Sequence, residues 1–350
     1  MDTDLGWDPV VWQRLCGELG LAGLGVPEEY GGAGFGWAEV AVAFEEAGQV
    51  LLCAPMLATV GQAVPLLLSA GDPRSCADYL PRICAGTTTA TVAATNMLGQ
   101  WQADVAPVTA GRSADTWQVS GKVGYVVDGA SAGLVFVPAL APDGMQLFVV
   151  DRTASNWSVT PLMTLDQTRK MAHLEFDATP ARRLDCDDAG AALARATKLG
   201  SVLLAAECVG GAQRCLDMAV EHVRSRIQFG RAVGSFQAVK QKAADMLMSV
   251  ESARSAAMAA ATAARTASGD QPSEGSYSLA LTAAVAKSYC GDAFMAVAAD
   301  NIQLHGGIGF TWEHDAHLYF KRARSNQELF GSSDIHVAAI AHMIESDPTL

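Results

Sequence analysis

Hydrophobic and polar positions divide the chain into three textures. To about residue 88, apolar runs at helical spacing alternate with breaks at proline and glycine. Val10, Leu15, Leu19 and Leu21 open one run, Pro27-Glu28-Glu29-Tyr30-Gly31-Gly32 interrupts it, and Val40 to Leu57 carries the next. Between about Thr89 and Cys186 the texture changes to short β-rich pieces, TATVAAT, TWQVSG, LVFVPAL, MQLFVV and MAHLEF, set off by Gly, Asp, Ser and Pro. From about Asp187 the chain is Ala-rich, with apolar residues at helical spacing over 193–226, 236–265 and 279–303. The polar stretch TASGDQPSEGSYS, residues 266–278, joins two of those windows. The pattern predicts an α+β chain with an N-terminal helical domain over 1–88, a middle β domain over 89–186 and a C-terminal helical bundle over 187–350. A doubly wound nucleotide-binding sheet would alternate strand and helix throughout and is excluded.

Composition adds exclusions. Half of the 350 residues are hydrophobic and 17% are charged, enough apolar surface to build cores for two or three domains. No window approaches the roughly 18 uninterrupted apolar residues of a spanning helix. The opening MDTDLGWDP is acidic where an export leader is basic and then apolar, so neither a membrane segment nor export is expected. The eight cysteines are scattered without a CxxC pair or a short Cys/His cluster, which points to a reducing cytoplasm and to neither zinc nor a disulfide framework. With 24 Lys and Arg against 37 Asp and Glu, the net charge of −13 repels a nucleic-acid backbone, although a local basic patch can still hold a small phosphorylated ligand.

Two segments carry candidate chemistry. Arg226-Ile-Gln-Phe-Gly-Arg-Ala-Val-Gly-Ser-Phe-Gln237 lies between two helical windows, with Gly230 and Gly234 in the turn and Ser235 placed as N-cap of the next helix. A helix N-terminus beside a fixed guanidinium suits a phosphate or pyrophosphate; an ordinary solvated turn is the bland alternative. Gln303-Leu-His-Gly-Gly-Ile-Gly-Phe-Thr311 ends the third window. There Gly306, Gly307 and Gly309 remove side chains so that backbone can approach a ligand, where a helix C-cap needs only one glycine.

In combination these segments resemble the flavin-binding elements of the acyl-CoA dehydrogenase family. The resemblance implies that Arg226, Phe229 and Gln237 contact the adenosine diphosphate part of FAD, and that Gln303, Gly306 and Gly307 lie against its pyrophosphate and adenine, across a subunit boundary. The N-terminal run Leu19 to Gly34 and Glu45-Glu46-Ala-Gly48 resemble the family's opening helical domain, which usually has another helix before Trp7. Glu313-His-Asp-Ala-His317 is similar to a family segment whose residues cap a helix and form polar contacts, and no metal is expected there.

The chain departs from the family where a subunit serves its own flavin. The usual Thr-Glu-Pro loop reads Ala94-Thr95-Asn96-Met97-Leu98-Gly99, so only the threonine survives. The usual Trp-Ile-Thr-Asn-Gly strand reads Tyr125-Val-Val-Asp-Gly129, with Val127 in place of the hydroxyl. The carboxylate that removes the substrate's α-proton is missing at both family positions, which here are Phe330 and Gly200. Glu207 is a candidate base, although a lone Glu on an Ala-rich helix more often forms an ion pair or an interface.

What a subunit lends its neighbour is kept, and what it uses itself is lost. This pattern resembles the heteromeric acyl-CoA dehydrogenases of actinobacterial steroid side-chain degradation. The resemblance implies a subunit without a catalytic base, completing the FAD site of a homologous catalytic partner in an α2β2 assembly. Its substrate would be an acyl-CoA, for instance a steroid side-chain thioester, and its electron acceptor an electron-transfer flavoprotein. Two alternatives stand beside it: a self-sufficient homomeric enzyme with Glu207 as base, and a non-enzymatic scaffold or acyl-CoA-binding protein on the same fold.

Overall fold

The computed structural model describes residues 1, 3–101, 106–114, 116–266 and 278–346, which leaves nearly all of the polar 266–278 stretch outside the described residues. Four α-helices open the chain: α1 (Pro9–Leu19), α2 (Trp37–Gln49), α3 (Val64–Ala70) and α4 (Pro73–Cys84). Local chemistry sets their limits. Asp8 caps α1 by accepting from the Val10 amide, Pro9 takes the first helical position where its missing N–H costs nothing, and left-handed Gly20 stops the helix. Asp72 and Pro73 repeat the arrangement at α4. The apolar run Val40 to Leu57 is not one helix. The chain breaks after Gln49, with Leu51 left-handed, and resumes as a fully buried π-helical segment, Leu57–Ala63, that leads into α3.

Seven strands follow: β1 (Ala90–Val92), β2 (Val108–Ser113), β3 (Thr116–Val127), β4 (Leu134–Ala141), β5 (Gly144–Asp151), β6 (Trp157–Pro161) and β7 (Met171–Arg183). β2, β3, β7, β5 and β4 pair in a closed circuit, β1 adds in parallel to β4, and β6 lies antiparallel on β7. Val119, Val123, Val135, Val137, Phe148, Val150 and Leu174 fill its interior, since alternate residues of a strand face one side. The sequence pattern marks five of the seven. β2 and β6 escape it because β6 buries no residue fully and β2 buries only Val108 and Ala110.

The remainder is helical: α5 (Ala189–Ser225), a two-stranded hairpin of β8 (Ile227–Gln228) and β9 (Arg231–Ala232), α6 (Gln237–Thr266), α7 (Leu279–His305), α8 (Ala316–Glu328) and α9 (Ser333–Ser346). The three apolar windows read from the sequence become α5, α6 and α7 within a few residues. At 37 residues α5 runs about 55 Å. Ser235 is not the N-cap of α6. It closes a 3-10 turn, Val233–Ser235, and the extended residue before the helix is Phe236, whose carbonyl accepts from the Val239 and Lys240 amides.

Contacts group the chain into two compact units, Met1–Glu39 with Cys53–Gly200, and Val40–Leu52 with Ser201–Leu350. Within the second, α2 crosses α5 backbone to backbone at two glycines. A methyl group on Gly210 would lie 1.8 Å from the Glu45 carbonyl oxygen, and one on Gly48 would lie 2.1 Å from that of Glu207. Arg254 of α6 reinforces the crossing by pairing with Glu45 and donating to Gln213 Oε1 at 2.8 Å, and Tyr319 of α8 donates to the Gln49 carbonyl at 2.6 Å. Gly210→Ala is therefore expected to cost about 3 kcal/mol, the upper end of overpacking, because a helix backbone cannot move aside as a side-chain tip does. The urea midpoint measures it; an unchanged midpoint would mean that the helices are not in backbone contact.

Candidate functional site

The Arg226 segment begins where α5 ends. The Ser225 hydroxyl donates back to the Glu221 and His222 carbonyls, the Arg226 amide closes on the His222 carbonyl at 2.9 Å, and the Val233 amide returns to the Arg226 carbonyl at 2.8 Å. Between them the β8–β9 hairpin turns at Phe229 and Gly230, both with positive φ. That conformation matches the twist of a two-residue hairpin and is uncommon for phenylalanine. Phe229 is 91% exposed, and its ring meets Phe236 edge to face at 6.2 Å. Residues 224–231 are all exposed, as is Gln237 at the first position of α6, and the Arg226 guanidinium has no ion pair among the described residues. Within this exposed stretch the Ser225 hydroxyl serves the end of α5, and Arg231 lies over the Phe236 ring at 3.9 Å.

The Gln303 segment ends α7 in the same unit. α7 stops at His305 because Gly306 takes φ 68 and ψ −145, a conformation closed to other residues, and Gly306–Phe310 continues as a 3-10 turn. Added methyl groups at Gly306 and Gly307 would meet nothing within 4 Å, so both face open space. Gly309 differs: a methyl there would come within 2.9 Å of the His305 Cβ, so its small size serves internal packing. Gln303, Gly306 and Gly307 are exposed.

The two segments meet through three histidine rings. His222 and His305 have centroids 4.3 Å apart, and His305 and His314 are 4.2 Å apart. The stack borders a polar cavity of about 410 Å³ that Arg214, Glu221, Glu313 and Asp315 also line. Burial first, then the charges of Arg226 and His314, pushes His222 below the usual imidazole range. Burial also lowers His305, against a hydrogen bond from its Nδ1 to the Asn301 carbonyl at 2.8 Å. Sequence reasoning missed this stack. The signal was present, since His222 lies one helical turn before Arg226 and His305 directly precedes Gly306.

The positions where a subunit of the family serves its own flavin look different. The Thr95 hydroxyl donates to the Gly124 carbonyl, so the one surviving polar group is already engaged. The loop after it folds on itself, with Asn96 Oδ1 accepting from the Leu98 and Gln100 amides at 2.9 and 3.1 Å. Val127 is buried and its carbonyl accepts from the Thr91 hydroxyl at 2.6 Å. Tyr125 and Asp128 both adopt positive φ, and the β3–β7 register shifts between Val123 and Val126, so this edge is bent rather than regular. The polar groups at these positions are engaged by bonds within the domain.

The candidate bases are equally occupied. Glu207 is 5% exposed and its Oε1 accepts from Arg322 Nη1 at 2.9 Å and from Asn326 Nδ2 at 3.1 Å; Arg322 is itself 2% exposed. Phe330 is buried at φ 60 in the turn between α8 and α9. His336 holds its carbonyl at 3.0 Å, and Lys287 donates to the neighbouring Gly331 carbonyl at 3.1 Å and the Gln327 carbonyl at 3.2 Å. Gly200 lies buried in α5 and holds no acid.

Among the described residues, no group of three or more His, Cys, Asp or Glu is arranged to hold a metal, and no helix is long and apolar enough to cross a membrane. In the 313–317 segment, His314 Nδ1 accepts from the Ala316 amide at 3.1 Å and His317 stacks edge-on against Trp312, which are capping and packing roles. None of the eight cysteines forms a disulfide, and burial pushes Cys16, Cys76 and Cys84 up to about 11, away from nucleophilic use.

Comparison with known proteins gives the following. Residues 2–87 match the family described as Acyl-CoA dehydrogenase, N-terminal domain, and residues 190–344 match Acyl-CoA dehydrogenase, C-terminal domain. The chain is 36% identical over 332 residues, 95% of its length and 86% of the relative's, to Acyl-CoA dehydrogenase IpdE2 of Mycobacterium tuberculosis. It is 38% identical over 327 residues to Acyl-CoA dehydrogenase FadE34 of the same organism, covering 93% of this chain and 41% of that longer one. Among solved structures it is similar to a variant of the Tcur3481-Tcur3483 steroid ACAD, with TM-score 0.84 and 28% identity over 100% of this chain and 92% of that one. It is also similar to the ChsE4-ChsE5 complex from Mycobacterium tuberculosis, with TM-score 0.85 and 27% identity over 99% and 90%.

Proposed function

Because the chain belongs to the acyl-CoA dehydrogenase family, we propose that it is the half of a heteromeric FAD-dependent enzyme that completes the flavin site of a homologous, catalytic partner. The observation that carries this reading is the division between the two sets of residues. Arg226, Phe229, Gln237, Gln303, Gly306 and Gly307 are exposed, while Thr95, Val127, Glu207 and Phe330 are buried in internal contacts. The first set fits the adenosine diphosphate end of FAD: a guanidinium and carboxamides for the pyrophosphate, and bare backbone where the ligand lies close. The second set does not fit the flavin ring or the base.

When bound, FAD supplies the hydride acceptor for α,β-dehydrogenation of an acyl-CoA thioester. This chain's part is to hold and orient. Arg226 would supply positive charge to the pyrophosphate, the exposed Phe229 ring would pack against the adenosine part and shed water, and Gln303 and Gln237 would donate from their carboxamides. The proton is removed by a carboxylate of the partner. The similarity to a steroid ACAD and to a complex of two unlike chains supports a heteromeric assembly and a bulky, steroid-type substrate; an α2β2 stoichiometry, a side-chain thioester and an electron-transfer flavoprotein as acceptor complete the proposal.

Co-expression with a homologous subunit that carries the carboxylate tests the reading, with acyl-CoA-dependent dye reduction as readout. Activity is expected only when both chains are present. Turnover by this chain alone would favour the homomeric enzyme, and a complex idle and colourless with every homologous partner would favour a scaffold.

A further inference from the structure

We propose that His305, stacked between His222 and His314, is the positioning residue that registers the Arg226 loop against the Gly306–Phe310 turn. The inference rests on the reading of those two segments as one flavin-holding surface, and adds what keeps them in register. Three chain ends converge on the rings. His222 lies in the last turn of α5, and its carbonyl anchors the Arg226 amide. His305 is the last residue of α7 and abuts Gly306. His314 accepts the Ala316 amide at the start of α8. A shift of any one end must slide a ring off its neighbour.

The hydrogen bonds also fix the tautomers. His305 Nδ1 donates to the Asn301 carbonyl, leaving Nε2 bare, while His314 Nδ1 accepts, which places its proton on Nε2. A protonated His305 would still donate to Asn301, so that bond survives in either state, whereas the Ala316 bond needs an unprotonated Nδ1 on His314. A purely structural stack would be served as well by phenylalanine; imidazoles make the register depend on protonation.

The surrounding charges set the sign. From α5 the stack is faced by Arg214, Glu221 and Arg226, from the 313–315 segment by Glu313 and Asp315, and from α7 by the Asn301 carbonyl; α8 brings His317, with Lys321 over Trp312. The three carboxylates do not prevail. His222 and His305 are both held below the ordinary value of 6.5, by burial first. Groups so lowered bind protons more readily in the unlocked state. The locked register is thus fully present above the ordinary imidazole value and is lost as the pH falls below it.

Backbone hydrogen exchange over residues 226–236 in the full chain, corrected for the intrinsic pH dependence of exchange, reads the lock without any flavin. Protection is expected to fall roughly fivefold or more on going from about pH 8 to about pH 5. His305→Phe keeps a ring in the stack and should hold protection at both ends of the range; His305→Ala should lose it at both. If His305→Phe disrupts folding, His222→Phe at the half-buried ring serves the same comparison. The proposal is overturned if His305→Ala leaves protection intact, or if the phenylalanine variant follows the wild-type pH profile. In the assembled complex, FAD release should share the wild-type midpoint. A complex without FAD at any pH would count against the proposed function, while the exchange profile would still decide the role of His305.

Discussion

Arg226→Glu is expected to empty the flavin site of the assembled complex while leaving this chain as stable as before. The guanidinium is exposed and outside every ion pair among the described residues, so its loss removes little from the fold. Toward a pyrophosphate the same change removes a charge-assisted hydrogen bond and installs a repulsion. The lost bond alone contributes about 1.5–3 kcal/mol, so FAD should bind at least about a hundredfold more weakly once the repulsion is added. Arg226→Lys should fall between, because an ammonium keeps the charge without the planar fork. Flavin content after gel filtration measures the effect. Full retention in the glutamate variant would place the pyrophosphate elsewhere.

The second large effect concerns Glu207 and separates a structural carboxylate from a catalytic one. Glu207→Ala should destabilise the chain by about 3–5 kcal/mol, because Arg322 is left as a buried charge without its carboxylate partner. Even Glu207→Gln, which keeps an acceptor for Asn326, takes the Glu207 carboxylate away from Arg322. The informative variant is therefore double. Glu207→Gln with Arg322→Met removes both charges, retains the Asn326 bond and should recover most of the lost stability. If Glu207 only braces α5 against α8, turnover of the complex containing the double variant stays within a few fold of wild type. A general base would cost on the order of a hundredfold or more whatever its partner became.

Much of this was legible in the sequence, for physical reasons that can be named. α5, α6 and α7 were readable because long amphipathic helices repeat their signal over many turns, and β3, β4, β5 and β7 because buried strands are dense in Val, Leu and Phe. The exposed strand β6 and the break after Gln49 were not, since an exposed strand has little apolar signal and a π-helical segment keeps the same apolar letters as an α-helix. The candidate site divides in the same way. Arg226, Gln303 and the glycines stand out as local motifs, whereas the partners of Thr95, Glu207 and His305 lie 29, 115 and 83 residues away. No local pattern encodes such pairings. Sequence alone locates where the chain departs from the family's motifs, and the structure adds what the residues at those positions do.

The account stands or falls on how many flavins the assembly holds. Native mass spectrometry of the co-expressed complex, paired with flavin absorbance, counts FAD against each chain. One FAD for every pair of unlike chains, with none on this chain purified alone, is the expected result. FAD bound stoichiometrically to this chain by itself, or two for every unlike pair, would contradict the claim that its own β domain has given up the flavin ring.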